Sequence, residues 1–136
     1  PPYWRQYLKY FTMSISIKGD ISTSEGKKEL AKRSPINYVE KIKKPLMIVH
    51  GSNDIRVKQS ESDQIVEKLK ENNIPFLYLI YQNEGHGLRF PENRFSFFTY
   101  VEEFLAEILK GRKTHTSEIS YLPKSSLTIK KNNFGK

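Results

Sequence analysis

The 136-residue sequence predicts an α/β fold, with parallel strands and crossover helices arranged as a three-layer sandwich. Two short continuous apolar runs, at 45–50 and 76–81, read as strands. A segment of amphipathic helical spacing lies between them, and a second, stronger helical pattern follows the later run. Strand, helix, strand, helix in this order is a right-handed parallel unit. Two such strands cannot cover both faces of a sheet, so further strands are expected from outside the pair.

In chain order, residues 3–13 are dense in aromatics after Pro1-Pro2, which suits a first helical turn, and predict a helix. Residues 14–25 hold Gly, Asp, Ser and Thr without a sustained period and read as a connector. Residues 27–33 predict a short helix stopped by Ser34-Pro35, because the residue before proline disfavours the α region.

The run 45–50, Pro-Leu-Met-Ile-Val-His, is closed by Gly51, Ser52, Asn53 and Asp54, the pattern of a strand buried on both faces. Asp54 then lies just past the C-terminal end of that strand. Ser60, Glu61, Ser62 and Asp63 supply capping oxygens and first-turn acids. Ile65, Val66 and Leu69 form one face, and Lys68 and Lys70 suit the negative end of the helix dipole. This helix ends near Asn72-Asn73, before Pro75.

Residues 76–81, Phe-Leu-Tyr-Leu-Ile-Tyr, are a second buried strand, and 82–90 a loop containing Glu84-Gly85-His86-Gly87. Phe97, Phe98, Val101, Phe104, Leu105, Ile108 and Leu109 recur at helical spacing, with Gly111 where a helix commonly terminates. No internal repeat or low-complexity block interrupts the chain.

Composition narrows the function classes. A content of 37% hydrophobic and 28% charged residues is that of a soluble globular protein, and the longest apolar run is far too short to cross a bilayer. With no cysteine, disulfides, thiolate ligands and a cysteine nucleophile are excluded. The opening Pro1-Pro2-Tyr3-Trp4 does not reveal the targeting signal of the full gene product; the lack of cysteine is compatible with a reducing cytosol, and a cytoplasmic location is the expectation. Of the net charge of +8, residues 111–136 carry +5, as six Lys/Arg against one Glu. The body is nearly balanced, and the excess reads as a basic C-terminal tail.

Asp54 and His86 follow consecutive strands 32 residues apart, about the ~30 residues that one crossover consumes. Both therefore project at the sheet edge where open α/β sheets bind ligands. A histidine general base needs a partner that holds one tautomer and stabilises the imidazolium, and a carboxylate after the neighbouring strand does that. Taken singly, Asp54 is an ordinary turn residue and His86 an ordinary loop histidine; the pairing makes them candidates.

Several other residues compete less well. His50 reads as a strand-end residue, and His50 and His115 lie too far from His86 in sequence for a local metal motif, so no metal or cofactor is expected. Tyr3, Trp4 and Tyr7 line a pocket or fill a core, and Arg56 holds a substrate carboxylate or pairs with an acid such as Glu61.

At these residues the chain resembles the C-terminal catalytic region of the prolyl oligopeptidase family, within the α/β-hydrolases. The carriers are His50-Gly-Ser-Asn-Asp-Ile-Arg-Val57, Glu61-Ser62, Glu84-Gly-His-Gly87 and Pro91-Glu-Asn-Arg94. Pro1-Pro-Tyr-Trp4 and Arg33-Ser-Pro35 extend it over residues 1–110, and it is strongest to acylaminoacyl-peptidase and dipeptidyl-peptidase-like members. The resemblance implies a serine-type peptidase acting on short peptides, in which Asp54 orients the histidine and His86 is the general base.

Chain order in α/β-hydrolases is Ser, then Asp, then His, which puts the serine ahead of residue 1. None of the seven glycines is followed two positions later by serine, so no Gly-x-Ser-x-Gly elbow exists in the sequence. The chain alone is therefore expected to be inactive. Its expected partners are a peptide substrate and the missing N-terminal part of the hydrolase domain, in cis or as a separate chain.

Two readings from other classes compete. One is a non-catalytic remnant or interaction module of the same fold. The other is a nucleic-acid binder acting through Lys113, Lys124, Lys130, Lys131 and Lys136, which lacks any base-reading motif. Carboxylesterases share the Asp and His layout, which leaves peptide against ester open.

Overall fold

The computed structural model describes Asp20, residues 22–113, residues 124–132 and Phe134. The helix expected over 3–13 falls outside them. The chain divides into two units, residues 1–38 and 39–136, a division the sequence does not announce.

In the first unit, helix α1 spans Ser24–Arg33. It starts three residues before the expected 27 because the Thr23 hydroxyl caps it, accepting the Gly26 N–H at 3.0 Å. Glu25 in its first turn and Lys32 and Arg33 in its last match the dipole. It ends at Ser34, which is extended as the following proline requires. A 3-10 helix, Pro35–Lys41, follows.

The second unit holds strand β1 (Leu46–Gly51), helix α2 (Gln59–Glu71), strand β2 (Phe76–Tyr81), helix α3 (Pro91–Leu109) and strand β3 (Leu127–Asn132). The sheet order is β1-β2-β3. β1 and β2 are parallel, in a register that sets His50 beside Ile80 and Gly51 beside Tyr81, whereas β2 and β3 are antiparallel.

The two-residue period of β2 separates two cores. Phe76, Tyr78 and Ile80 pack with Val66 and Leu69 of α2, while Leu77, Leu79 and Tyr81 pack with Phe104 of α3. One helix thus covers each face of β2, which is buried at every position. That is the expected α/β architecture of three layers.

Four details depart from the sequence reading. β1 is only half-buried from Leu46 to Val49, because it has a neighbour strand on one side only among the described residues. α2 starts at Gln59 with Lys58 at its N-cap and no side-chain cap, so Ser60 lies inside the helix. α3 begins six residues before the apolar stripe, with Pro91 in its first turn, the position where a missing N–H costs least. At its other end the left-handed residue is Lys110 (φ 55°), one position before Gly111.

Residues 127–132, read from charge as tail, add β3 to the sheet. Leu127 packs in the α3-side core, and the Lys130 ammonium lies 3.8 Å from an Asp63 carboxylate oxygen. Among the described residues, no helix is long and apolar enough to cross a membrane.

Candidate functional site

Parallel pairing brings the C-terminal ends of β1 and β2 side by side, and the loops leaving them are stitched together. The Ser52 N–H donates to the Tyr81 carbonyl at 3.0 Å, and the Asn53 N–H to the Glu84 carbonyl at 2.9 Å. A β-carbon on Gly51 would lie 2.4 Å from the Gly85 carbonyl oxygen and 2.6 Å from that of Glu84, so only glycine permits this crossing.

Asp54 leaves the first loop and His86 the second, and they meet: His86 Nδ1 is 2.7 Å from Asp54 Oδ2. The other carboxylate oxygen of Asp54 accepts the backbone N–H groups of Arg56 at 2.8 Å and Val57 at 3.0 Å. The Asp54 side chain is 8% exposed and that of His86 51%. The Val57 N–H first, then the His86 and Arg56 hydrogen bonds, outweigh the opposing effect of burial and hold the Asp54 carboxyl down at about 2.

An ionised carboxylate only accepts, so His86 Nδ1 carries the hydrogen and Nε2 the basic lone pair. The arrangement is therefore a base whose tautomer is fixed by an acid, with its free nitrogen on the more exposed partner. Gly87, at φ 137°, lets the chain turn back immediately after His86, and its N–H reaches the Gly85 carbonyl at 2.9 Å.

Glu84 is a residue that the sequence reading placed in the loop without giving it a role. It is 1% exposed, and its carboxylate accepts the Arg89 N–H at 2.8 Å, the Phe90 N–H at 2.9 Å and the Asn93 amide at 2.8 Å. Burial opposes the charge, but the Arg89, Asn93 and Phe90 donors outweigh it and keep the carboxyl below the usual range. Glu84 thus ties the His86 loop to the first turn of α3. The available signal was an acid a few residues before a helix N-terminus.

His86 borders two clefts. One, of about 410 Å³, is lined by Asp54, Gly85, His86, Gly87 and Leu88 among others. The other, of about 470 Å³, includes Ile55, Arg56, Arg89 and Phe90. Arg56 lines this second cleft, and no ion pair joins it to Glu61 among the described residues. A third cleft, of about 480 Å³ between α3 and β3, contains neither Asp54 nor His86.

His50 stands at the buried end of β1, as a strand-end residue should, with both ring nitrogens bonded within the fold. Among the described residues, no group of three or more His, Cys, Asp or Glu is placed to hold a metal ion. Tyr3, Trp4, Tyr7 and His115 lie outside the described residues.

Comparison with known proteins gives a consistent picture. The profile of the prolyl oligopeptidase family matches residues 4–112. Dipeptidyl aminopeptidase BIII of Pseudoxanthomonas mexicana is 46% identical over 112 residues, which cover 82% of this chain and 16% of that protein. Dipeptidyl peptidase family member 6 of Caenorhabditis elegans is 41% identical over 131 residues, 96% of this chain and 17% of that protein. An acylamino-acid-releasing enzyme of Rattus norvegicus is 30% identical over 87 residues, 64% of this chain and 12% of that protein. The chain thus spans about a sixth of the length of the first two relatives. No solved structure matches it.

Proposed function

This chain belongs to the prolyl oligopeptidase family of serine peptidases, within the α/β-hydrolase fold, and from that membership we propose that it supplies the acid and the base of a catalytic triad. Asp54 is the orienting carboxylate and His86 the general base. The observation that carries this reading is the 2.7 Å bond between Asp54 and His86 Nδ1, which leaves Nε2 basic.

In the proposed reaction, His86 Nε2 takes the proton of a serine hydroxyl as that oxygen attacks a peptide carbonyl. It then returns the proton to the departing amine. Asp54 holds the ring and stabilises the imidazolium between the two transfers. Such acid–base help contributes about 10²- to 10⁴-fold in rate. The serine and the oxyanion donors come from sequence outside these residues, in cis or on a separate chain, and the 136 residues alone do not hydrolyse peptides.

Residues 1–110 form the hydrolase region on this reading, and 111–136 a basic extension from which β3 joins the sheet. The names of the two dipeptidyl peptidase relatives support short peptides as substrates. A cytoplasmic location belongs to the same proposal and rests on the absence of cysteine.

The test is labelling with a fluorophosphonate of the longest product of the gene, beside Asp54→Asn and His86→Ala. Labelling that disappears in both variants is the expected result. If no preparation is labelled, the peptidase reading gives way to a non-catalytic module of the same fold.

A further inference from the structure

The loop that carries Asp54 buries little apolar surface. Ile55 is 97% exposed and Val57 41%, so hydrogen bonds rather than packing determine its shape. One of those bonds comes from His50. Its ring is 7% exposed; Nδ1 lies 2.9 Å from Ser62 Oγ of α2, and Nε2 lies 3.1 Å from the Val57 carbonyl oxygen. A carbonyl only accepts, so His50 Nε2 carries the hydrogen, and in the neutral ring Nδ1 accepts from the Ser62 hydroxyl. This is the opposite tautomer from His86, whose Nδ1–H faces a carboxylate.

Val57 is thus held at its carbonyl by His50 while its N–H donates to Asp54 Oδ1 at 3.0 Å. The connected donors and acceptors run from Ser62 through His50 and Val57 to Asp54, and end on His86.

We infer that His50 is a positioning residue for the Asp54–His86 pair, acting from the rigid end of β1 by pinning Val57 and so aiming the N–H that Asp54 accepts. An apolar side chain of the same size would fill the space and leave the Val57 carbonyl and Ser62 without this partner. The consequence for catalysis rests on the function proposed above, whereas the positioning stands on the geometry alone.

The experiment reads the tautomer of His86 from the nitrogen-15 shifts of its ring, in the full 136-residue chain under mildly alkaline conditions. Wild type shows the Nδ1–H form. In His50→Asn the amide reaches only as far as Nδ1, toward Ser62, and the Val57 contact is lost; His86 is expected to relax to the mixed population of an unheld imidazole. His50→Gln, whose amide extends to the position of Nε2, restores the Nδ1–H form.

Should the asparagine variant fail to fold, Ser62→Ala decides. It removes the other anchor of the ring without emptying the core, and shifts the tautomer in the same direction by less. An unchanged His86 tautomer in the folded asparagine variant, or in Ser62→Ala where that variant does not fold, overturns the inference. A tautomer that moves while no preparation is labelled by fluorophosphonate upholds the positioning and sinks the peptidase reading; intact labelling with an unmoved tautomer does the reverse.

Discussion

Gly51, the last residue of β1, and Gly85, in the loop after β2, approach so closely that a β-carbon on the first would lie 2.4 Å from the carbonyl oxygen of the second. This crossing lets Asp54 and His86 meet, since each residue leaves its loop within three positions of it. Gly51→Ala has no flexible side chain to push aside, only backbone. It is expected to cost about 1–3 kcal/mol, the usual range for overpacking, and to move the two loops apart. Urea melts give the cost, and the His86 ring shifts report whether the pair has separated.

Asp54→Asn keeps the shape of the side chain and removes its charge. In a preparation that contains the serine, it should lower kcat by about 10⁴-fold, the loss a triad suffers when its histidine takes the wrong tautomer. His86→Ala should lose at least as much, and the double variant little more, because the two act as one unit. Additive losses in steady-state kinetics would show that they do not.

The positions of Asp54 and His86 after two strands were legible because the apolar runs at 45–50 and 76–81, closed by turn residues, mark strands, although only the second is buried throughout. That both project at one sheet edge was legible as well, from the parallel strand–helix–strand order; the close approach at Gly51 that closes the contact was not, since it leaves no local pattern. The start of α3 was hidden for a related reason. Asn93, Ser96 and Thr99 are buried polar residues that no apolar stripe reveals, and the Glu84 carboxylate, not a local cap, receives the N–H groups ahead of the helix. β3 was masked by its lysines: only Leu127 and Ile129 alternate, and its stability comes from pairing with β2.

The two depressed carboxyls make a pH prediction. Asp54 titrates at about 2 in the fold against 3.8 unfolded, and Glu84 also lies below its unfolded value of 4.5. In each case the unfolded chain binds the proton more readily. The stabilisation is therefore fully present above the unfolded values and is lost as pH falls through the folded ones. Stability measured by urea should decline from about pH 4.5 downward, and Glu84→Gln should make that decline shallower. At neutral pH, Glu84→Gln should itself cost about 1.5–3 kcal/mol, the range for one hydrogen bond to a buried charge. A slope identical to wild type would mean that the Glu84 carboxyl binds its proton equally well in the folded and unfolded chain.

Lys110 closes α3 in the left-handed region, at φ 55°, while the glycine that would adopt this conformation freely stands one position later. The Lys110 N–H still reaches the Ala106 carbonyl, and the Gly111 N–H reaches the same oxygen at 3.0 Å, so the closing bonds are backbone bonds that a glycine at 110 keeps. The Lys110 side chain makes one exposed ion pair, 3.5 Å from Glu107, which contributes little. Relief of the left-handed strain, about 1 kcal/mol, exceeds that loss. Lys110→Gly should therefore raise the urea midpoint with no change in the slope of unfolding, whereas Gly111→Ala should leave it nearly unchanged. A lower midpoint for Lys110→Gly would place the helix end elsewhere.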